Sequence, residues 1–422
     1  MATGPDNPFA SAPPGLRPYY VPGLNSPNYS SLPTPSPYYA TEEVDLIDSR
    51  VAARELINYA VLKYITTAVS CPFEVSRTLL QVQYTPSEEA GTATMGYDDP
   101  EFKQKVQLDG SGYVLRTSVY DDATRPPYQI PIVSEGVWQT IGRLMKQPHE
   151  GWRSLFKGQY TNWLYEISHL FLQPTLEGSL NDAFNLYDDT IPLVHLDHAG
   201  PNLATLVGSH AIVGALLSPL ELVRTRLVVQ SSSPLHRKYK GPLHCLRTIY
   251  AEEGGLAGLY PHLGTTLLYH SISPLLQNVT PLIIDRVLGI SPNDSPFTYS
   301  LAELAFNMLE VIVTLPLDTI RKRLHCQIRS RVPSTKRFAT VVPLRPVPYT
   351  GLSDAVYSII KEEGVPPHKN KGKKKAKDSA TALGLRGLYQ GFSMQCTANV
   401  ILFLLHAING VDGMFSTFWL YA

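Results

Sequence analysis

One pattern occurs three times in this chain, each time at the end of an apolar run: a proline, an acid two residues later, and an arginine three residues beyond that. The copies are Pro72, Glu74 and Arg77; Pro219, Glu221 and Arg224; and Pro316, Asp318 and Arg321. A glutamine stands eleven residues after each proline, as Gln83, Gln230 and Gln327. One sextet would be a weak signal. Three in equivalent places mean that one structural unit is used three times, and neighbouring units must stack to bury their faces.

The apolar runs begin near Leu56, Leu203 and Leu301. A membrane span takes about 20 residues, so each run is long enough only if helix continues past its proline. Proline inside a helix bends it, and neighbouring helices must cover the freed carbonyl. An acid and a base three residues apart share a helix face. At membrane depth such charges are costly and should pair. Three bent helices around a common axis let each acid meet the base of a neighbour. The bland alternative, three soluble amphipathic helices with local ion pairs, does not explain why charge follows kink in every copy.

The second half of the unit also returns. Glycines after an acid stand at Gly136, Gly151, Gly254 and Gly364, and aromatics follow at Phe156, Tyr260 and Tyr389. Between the glycines of a copy the spacing predicts a short amphipathic helix, with Trp138, Ile141, Leu144 and Met145 in copy one and Val356, Ile359 and Ile360 in copy three. Such a helix would lie along the membrane surface. Another apolar run follows each aromatic, at 159–176, 263–284 and 392–409. The resulting expectation is an all-α membrane protein: three tandem repeats, six transmembrane helices in three pairs, and short surface helices. From proline to aromatic is 84 residues in copy one, 41 in copy two and 73 in copy three. The domain reading is therefore a Pro/Tyr-rich disordered tail at 1–47, repeat 1 at 48–190 with an insert at 85–131, repeat 2 at 191–288, and repeat 3 at 289–422 with inserts at 329–349 and 366–382.

Charge and composition exclude other classes. There are 36 basic and 36 acidic residues, so the basic excess of a nucleic-acid binder is missing. The four cysteines, Cys71, Cys245, Cys326 and Cys396, are far apart and suit neither a disulfide scaffold nor a zinc site. No glycine-rich phosphate loop, metal spacing or grouped catalytic set occurs, so no enzyme activity and no cofactor are expected. The first 47 residues resemble neither a signal peptide nor an Arg-rich presequence.

The sextets, the glycine pairs and the six apolar runs resemble the mitochondrial carrier family over residues 50–420. The resemblance implies that Glu74 pairs with Arg224, Glu221 with Arg321 and Asp318 with Arg77, closing one mouth of a central passage. Pro72, Pro219 and Pro316 would be the helix kinks. Gln81 stands where carriers often place a bracing glutamine; the matching positions hold Val228 and His325.

Two features depart from the family. Its second charge ring, an acid and a base three apart near the far ends of the even helices, is missing around Glu177, Asp285 and Asp412. Cations are also scarce in the even helices: no Lys or Arg lies between Gln159 and Asp189, between His262 and Asp285, or from Phe392 to Ala422. Most carrier substrates are anions that need such bases. Glu166, His169, His270 and His406 are expected to pack and bond between helices. With the long tail and the Lys369–Lys377 run, these departures resemble the modified outer-membrane branch of the family, similar to the fungal Ugo-type fusion factors. That resemblance implies a multi-pass protein of the mitochondrial outer membrane. It would be a non-enzymatic adaptor acting at the lipid-mixing stage of fusion. Its partners would be an outer-membrane mitofusin-like GTPase, an inner-membrane Mgm-type dynamin and the lipid bilayer, with self-association into a homo-oligomer left open. The alternative is an inner-membrane solute carrier for a neutral or cationic substrate, with Glu166, Glu303 and Glu310 facing its cavity.

Overall fold

The computed structural model describes residues 49–86, 125–133, 136–187, 191–292, 294–328, 338–363 and 385–404. The tail at 1–47, the insert at 366–382, His406 and Asp412 lie outside them, as do residues 87–124 of the first insert. The chain divides into Met1–Tyr59 and Ala60–Ala422. In the first part the described residues form the opening turns of helix α1, and Leu56 and Ile57 there are exposed.

The long helices are α1 (Ser49–Val82), α2 (Val137–Lys146), α3 (Gln159–Ala183), α4 (Ala199–Val229), α5 (Pro242–Glu252), α6 (Leu263–Arg286), α7 (Pro296–His325) and α8 (Leu352–Glu362). An apolar helix, α9 (Phe392–Leu404), follows. Helix continues through Pro72 in α1, Pro219 in α4 and Pro316 in α7. No strand occurs among the described residues, only the isolated bridges of Pro86 with Glu363 and Gln230 with Thr340.

Within Ala60–Ala422 the contacts run in chain order. Helix α3 packs on α4, α4 on α6, and α6 on α7. Helix α1 meets α3 where the Trp163 indole donates to the Ala60 carbonyl at 3.0 Å and Lys63 pairs with Glu166 at 3.2 Å. Helix α7 meets α9 through Phe297 and Phe403, ring centroids 5.9 Å apart. The cycle closes where the Gln395 amide on α9 faces the Arg77 guanidinium on α1.

The long helices are patterned inside out. Val61, Leu62, Ile65 and Val69 of α1, Ile212 and Leu216 of α4, and Leu301, Leu309 and Ile312 of α7 point outward. Thr161, Asn162, Asn181, Asn202, Ser209, Thr266 and His270 are buried. Water would not tolerate that exposed apolar area on a monomer. Two helices, α4 and α7, are long and apolar enough to cross a membrane by length and composition. Only 17% of the most apolar window of α7 is buried.

The apolar core lies where each odd helix ends. In repeat 2, Leu222, Val223 and Leu227 pack with Tyr239, Cys245 and Ile249 of the α5 region. In repeat 3, Ile320 and Leu324 pack with Tyr349, Ala355 and Ile359. Burial pushes the Cys245 thiol up to about 12, so it serves as a small apolar filler. In α2 the buried face is Val137, Thr140, Ile141 and Leu144. Trp138, assigned by its spacing to the apolar stripe, is 76% exposed and stacks edge-on against Phe73, with centroids 5.2 Å apart. Repeat 1 has the largest cluster, because both described insert segments join it. Ile130 from one, with Val133 just beyond it, and Val341 and Val342 from the other pack on Val75, Leu79, Leu80, Val228, Val229 and Cys326.

Candidate functional site

Each sextet places its acid and base one turn past the proline kink, on the same helix face. The structure brings all six charged residues into interhelical pairs. Arg224 donates to Glu74 at 3.1 Å, Arg77 to Asp318 at 3.1 Å, and Arg321 Nη1 to both Glu221 oxygens at 2.9 and 2.7 Å. Arg321 also donates to Asp318 at 3.0 Å, so two pairs share one guanidinium. Gln81 donates to Asp318 at 3.1 Å and accepts from Lys322 at 2.7 Å, and Lys322 reaches Asp318 at 2.8 Å. Val228 and His325, at the matching positions, are buried and make no such bridge to an acid.

Two further residues join this cluster, of which sequence reasoning missed Tyr269. The Arg321 guanidinium lies over the Tyr269 ring, 4.1 Å from its centroid, a cation–π contact. His270, expected from sequence to pack and bond between helices, has its Nε2 3.1 Å from Arg321 and 3.4 Å from Glu221. The signal was available: both lie on the second even helix, α6, in a run with no Lys or Arg to compete.

A second tier of ion pairs, also missed, joins the repeats beneath the latch. Arg226 forks onto Glu253 and donates to the carbonyls of His325 and Gln327 at 2.9 and 3.0 Å. Arg323 forks onto Glu363 and donates to the carbonyls of Gln81 and Gln83 at 2.8 and 3.1 Å. Repeat 1 has Leu79 in place of that arginine. There Lys157 pairs with Glu150 and donates to the Gln230 carbonyl at 2.8 Å. Each base thus caps the carbonyl end of the next odd helix, where unpaired acceptors and the negative end of the helix dipole gather. Burial pushes the Glu363 carboxyl up, against the pull of Arg323. The arginines stand seven residues past their prolines, and the acids precede glycines, so the sequence did carry this signal.

The repeated glutamines have one structural task. Gln83 brackets the Val133 backbone, donating at 3.0 Å and accepting at 3.1 Å. Gln230 does the same to Tyr239 at 2.8 and 3.0 Å, and Gln327, with its amide assigned so that N donates and O accepts, to Tyr349 at 3.2 and 2.7 Å.

Above the latch a polar cavity of about 630 Å³ ends on Arg77 and Asp318. Helix α6 lines it with Tyr269, Ser273 and Gln277; α7 with Glu303, Asn307, Glu310 and Thr314; α9 with Gln395 and Asn399. Glu303 and Glu310 therefore face this cavity. Glu166 is held by Lys63 between α1 and α3. At the far end of α6, Arg286 donates to the carbonyls of Val194, Leu196 and Asp197.

A latched mouth below a polar cavity is the geometry to set beside known sequences. Residues 199–288, which hold α4 through α6, match the family described as mitochondrial carrier protein. The mitochondrial basic amino acids transporter of Bos taurus is 31% identical over 156 residues, 36% of this chain and 47% of that protein. The Arabidopsis thaliana nicotinamide adenine dinucleotide transporter 2, mitochondrial, is 24% identical over 224 residues, 51% of this chain and 56% of that protein. The Arabidopsis mitochondrial succinate-fumarate transporter 1 is 26% identical over 222 residues, 51% of this chain and 66% of that protein. The chain spans about half the length of the first curated relatives it matches. Over α4 through α6 the chain is thus similar to the family described as mitochondrial carrier protein, and the relatives it resembles are named as transporters.

Proposed function

We propose that this protein carries small polar solutes across a mitochondrial membrane by alternating access, with six helices spanning the bilayer. The observation that carries this reading is the cavity ending on Arg77 and Asp318: a solute bound there touches the latch itself. Alternating access needs a site at the junction of the repeats and a barrier that binding can loosen. Binding energy can do this only where the solute makes contacts that differ between the closed and open states. The test is counter-exchange of labelled amino acids, carboxylates and nucleotides by full-length protein in liposomes. Exchange that saturates and falls in Asp318→Asn supports the carrier. A protein that exchanges none of them above empty vesicles is no carrier.

A second reading is favoured by a different observation. The two described insert segments cross the latch-side mouth, which transport would have to open. Ile130 donates to the Val341 carbonyl at 2.8 Å, Val341 to Val229 at 2.9 Å, Ser231 to Ala339 at 2.9 Å and Tyr84 to Pro343 at 2.9 Å. Such a strap suits a rigid platform in the outer membrane, an adaptor that docks a mitofusin-like GTPase and an Mgm-type dynamin for fusion. Protease added to intact mitochondria separates the two. Cleavage of the chain while the outer membrane is sealed favours the adaptor; protection until that membrane is ruptured favours the carrier.

A further inference from the structure

We infer that the cavity receives a solute with a cationic head, an ammonium or guanidinium group, and that Glu310 is the side chain that binds it. This deepens the carrier reading and rests on it. Among the described residues Arg77 is the one basic residue lining the cavity, and it is committed to Asp318 at 3.1 Å and to the Gln395 amide. The bases just below are committed too, Arg321 to Glu221 and Asp318, and Lys322 to Asp318. Three acids line the same space: Glu303, Glu310 and Asp318.

Glu310 differs from the other acids near the cavity. Its Oε1 accepts from Gln277 at 2.8 Å and from Ser273 at 3.4 Å, both neutral donors. Among the described residues no cation lies within ion-pair distance of it, whereas Asp318, Glu221 and Glu166 each have one. A carboxylate at membrane depth is costly without a countercharge. Here two side chains of α6 aim it into a volume large enough for a small solute. Glu303, Asn307, Glu310 and Thr314 recur at helical spacing along one face of α7. Glu303 lies two turns from Glu310, about 10.5 Å along the axis. The face forms a polar track toward the latch at Asp318. An anion entering it would meet three acids and no uncommitted base. A cation would complete the Glu310 pair, and its other polar groups could bond Asn307, Gln277 and Thr314.

The test measures thermal stability of the full-length protein in detergent with L-arginine, L-lysine or agmatine as probes. L-citrulline is the uncharged counterpart of arginine, and malate is the anion. A ligand that binds the folded state raises the melting temperature with its concentration. The expected result is a rise with at least one cationic probe, none with citrulline or malate, loss of the rise in Glu310→Gln, and partial retention in Glu310→Asp. Melting of both variants without probe shows that they are folded. The inference is overturned by no shift with any of the three cations, by an undiminished shift in Glu310→Gln, or by a larger shift with malate. Liposome exchange tests the carrier reading separately. A cation-induced shift without exchange of any solute leaves the site and removes the carrier. Malate exchange unaffected by Glu310→Gln leaves the carrier and removes the cation site.

Discussion

The three latch pairs share one sequence pattern but not one strength. Glu74 and Arg224 make a single contact with side chains 31% and 25% exposed, so solvent screens much of their attraction. Arg321 is 8% exposed, forks onto Glu221, reaches Asp318 and lies on the Tyr269 ring. Removing it leaves buried Glu221 without its arginine, whereas Asp318 keeps Arg77 and Lys322. Arg321→Ala should therefore lower stability by about 3–5 kcal/mol, and Arg224→Ala by about 0.2–1 kcal/mol. Melting curves of the two variants in detergent check this, and equal losses would discard the ranking. The weak pair would then be the natural first point of opening.

At the scale of helices, the repeats match even where the residues do not. The residue before each even helix sits two past the repeat's aromatic and takes a left-handed backbone: Gly158 with φ 75°, His262 with φ 53° and Gly391 with φ 86°. A side chain at Gly158 would also crowd Val228 at 3.2 Å. His262 shows that the turn is imposed by the repeat and only favoured by glycine. Helix α4 meets α6 closely at Gly214, where an added Cβ would overlap the ring and the Cβ of His270. The ring is fixed there by Glu221 and Arg321, so the helices must part. Gly214→Ala should destabilise the protein by about 1–3 kcal/mol through overpacking. An unchanged melting temperature would mean that α4 and α6 are not held this close.

At the scale of the whole chain, the inserts are part of the closed mouth. Val341 is fully buried between Ile130 and the end of α4. An aspartate there buries an unpaired charge, which should loosen the strap without touching the latch. For a strapped carrier, Val341→Asp should melt at a lower temperature yet exchange solute faster in liposomes. Slower or unchanged exchange by folded variant protein would show that the strap does not limit opening.

Much of this was legible in the sequence, because a threefold repeat shows which positions are equivalent. The sextets fixed which acids and bases recur past a kink, and the spacing between landmarks marked where extra chain enters. Glutamines eleven residues past the prolines were visible, but their partners were not, since Val133 shares no chemistry with Tyr239 and Tyr349 and only a backbone is held. Sequence read the inserts as loops, because a short segment that pairs through its backbone has no periodicity to betray it. How two pairs come to share Arg321, and where Glu310 finds neutral donors instead of a cation, were decided by how the helices close around one another. Those contacts join residues as much as 241 positions apart. Local pattern determines which face of a helix is polar, but the choice of neighbour for that face is a property of packing.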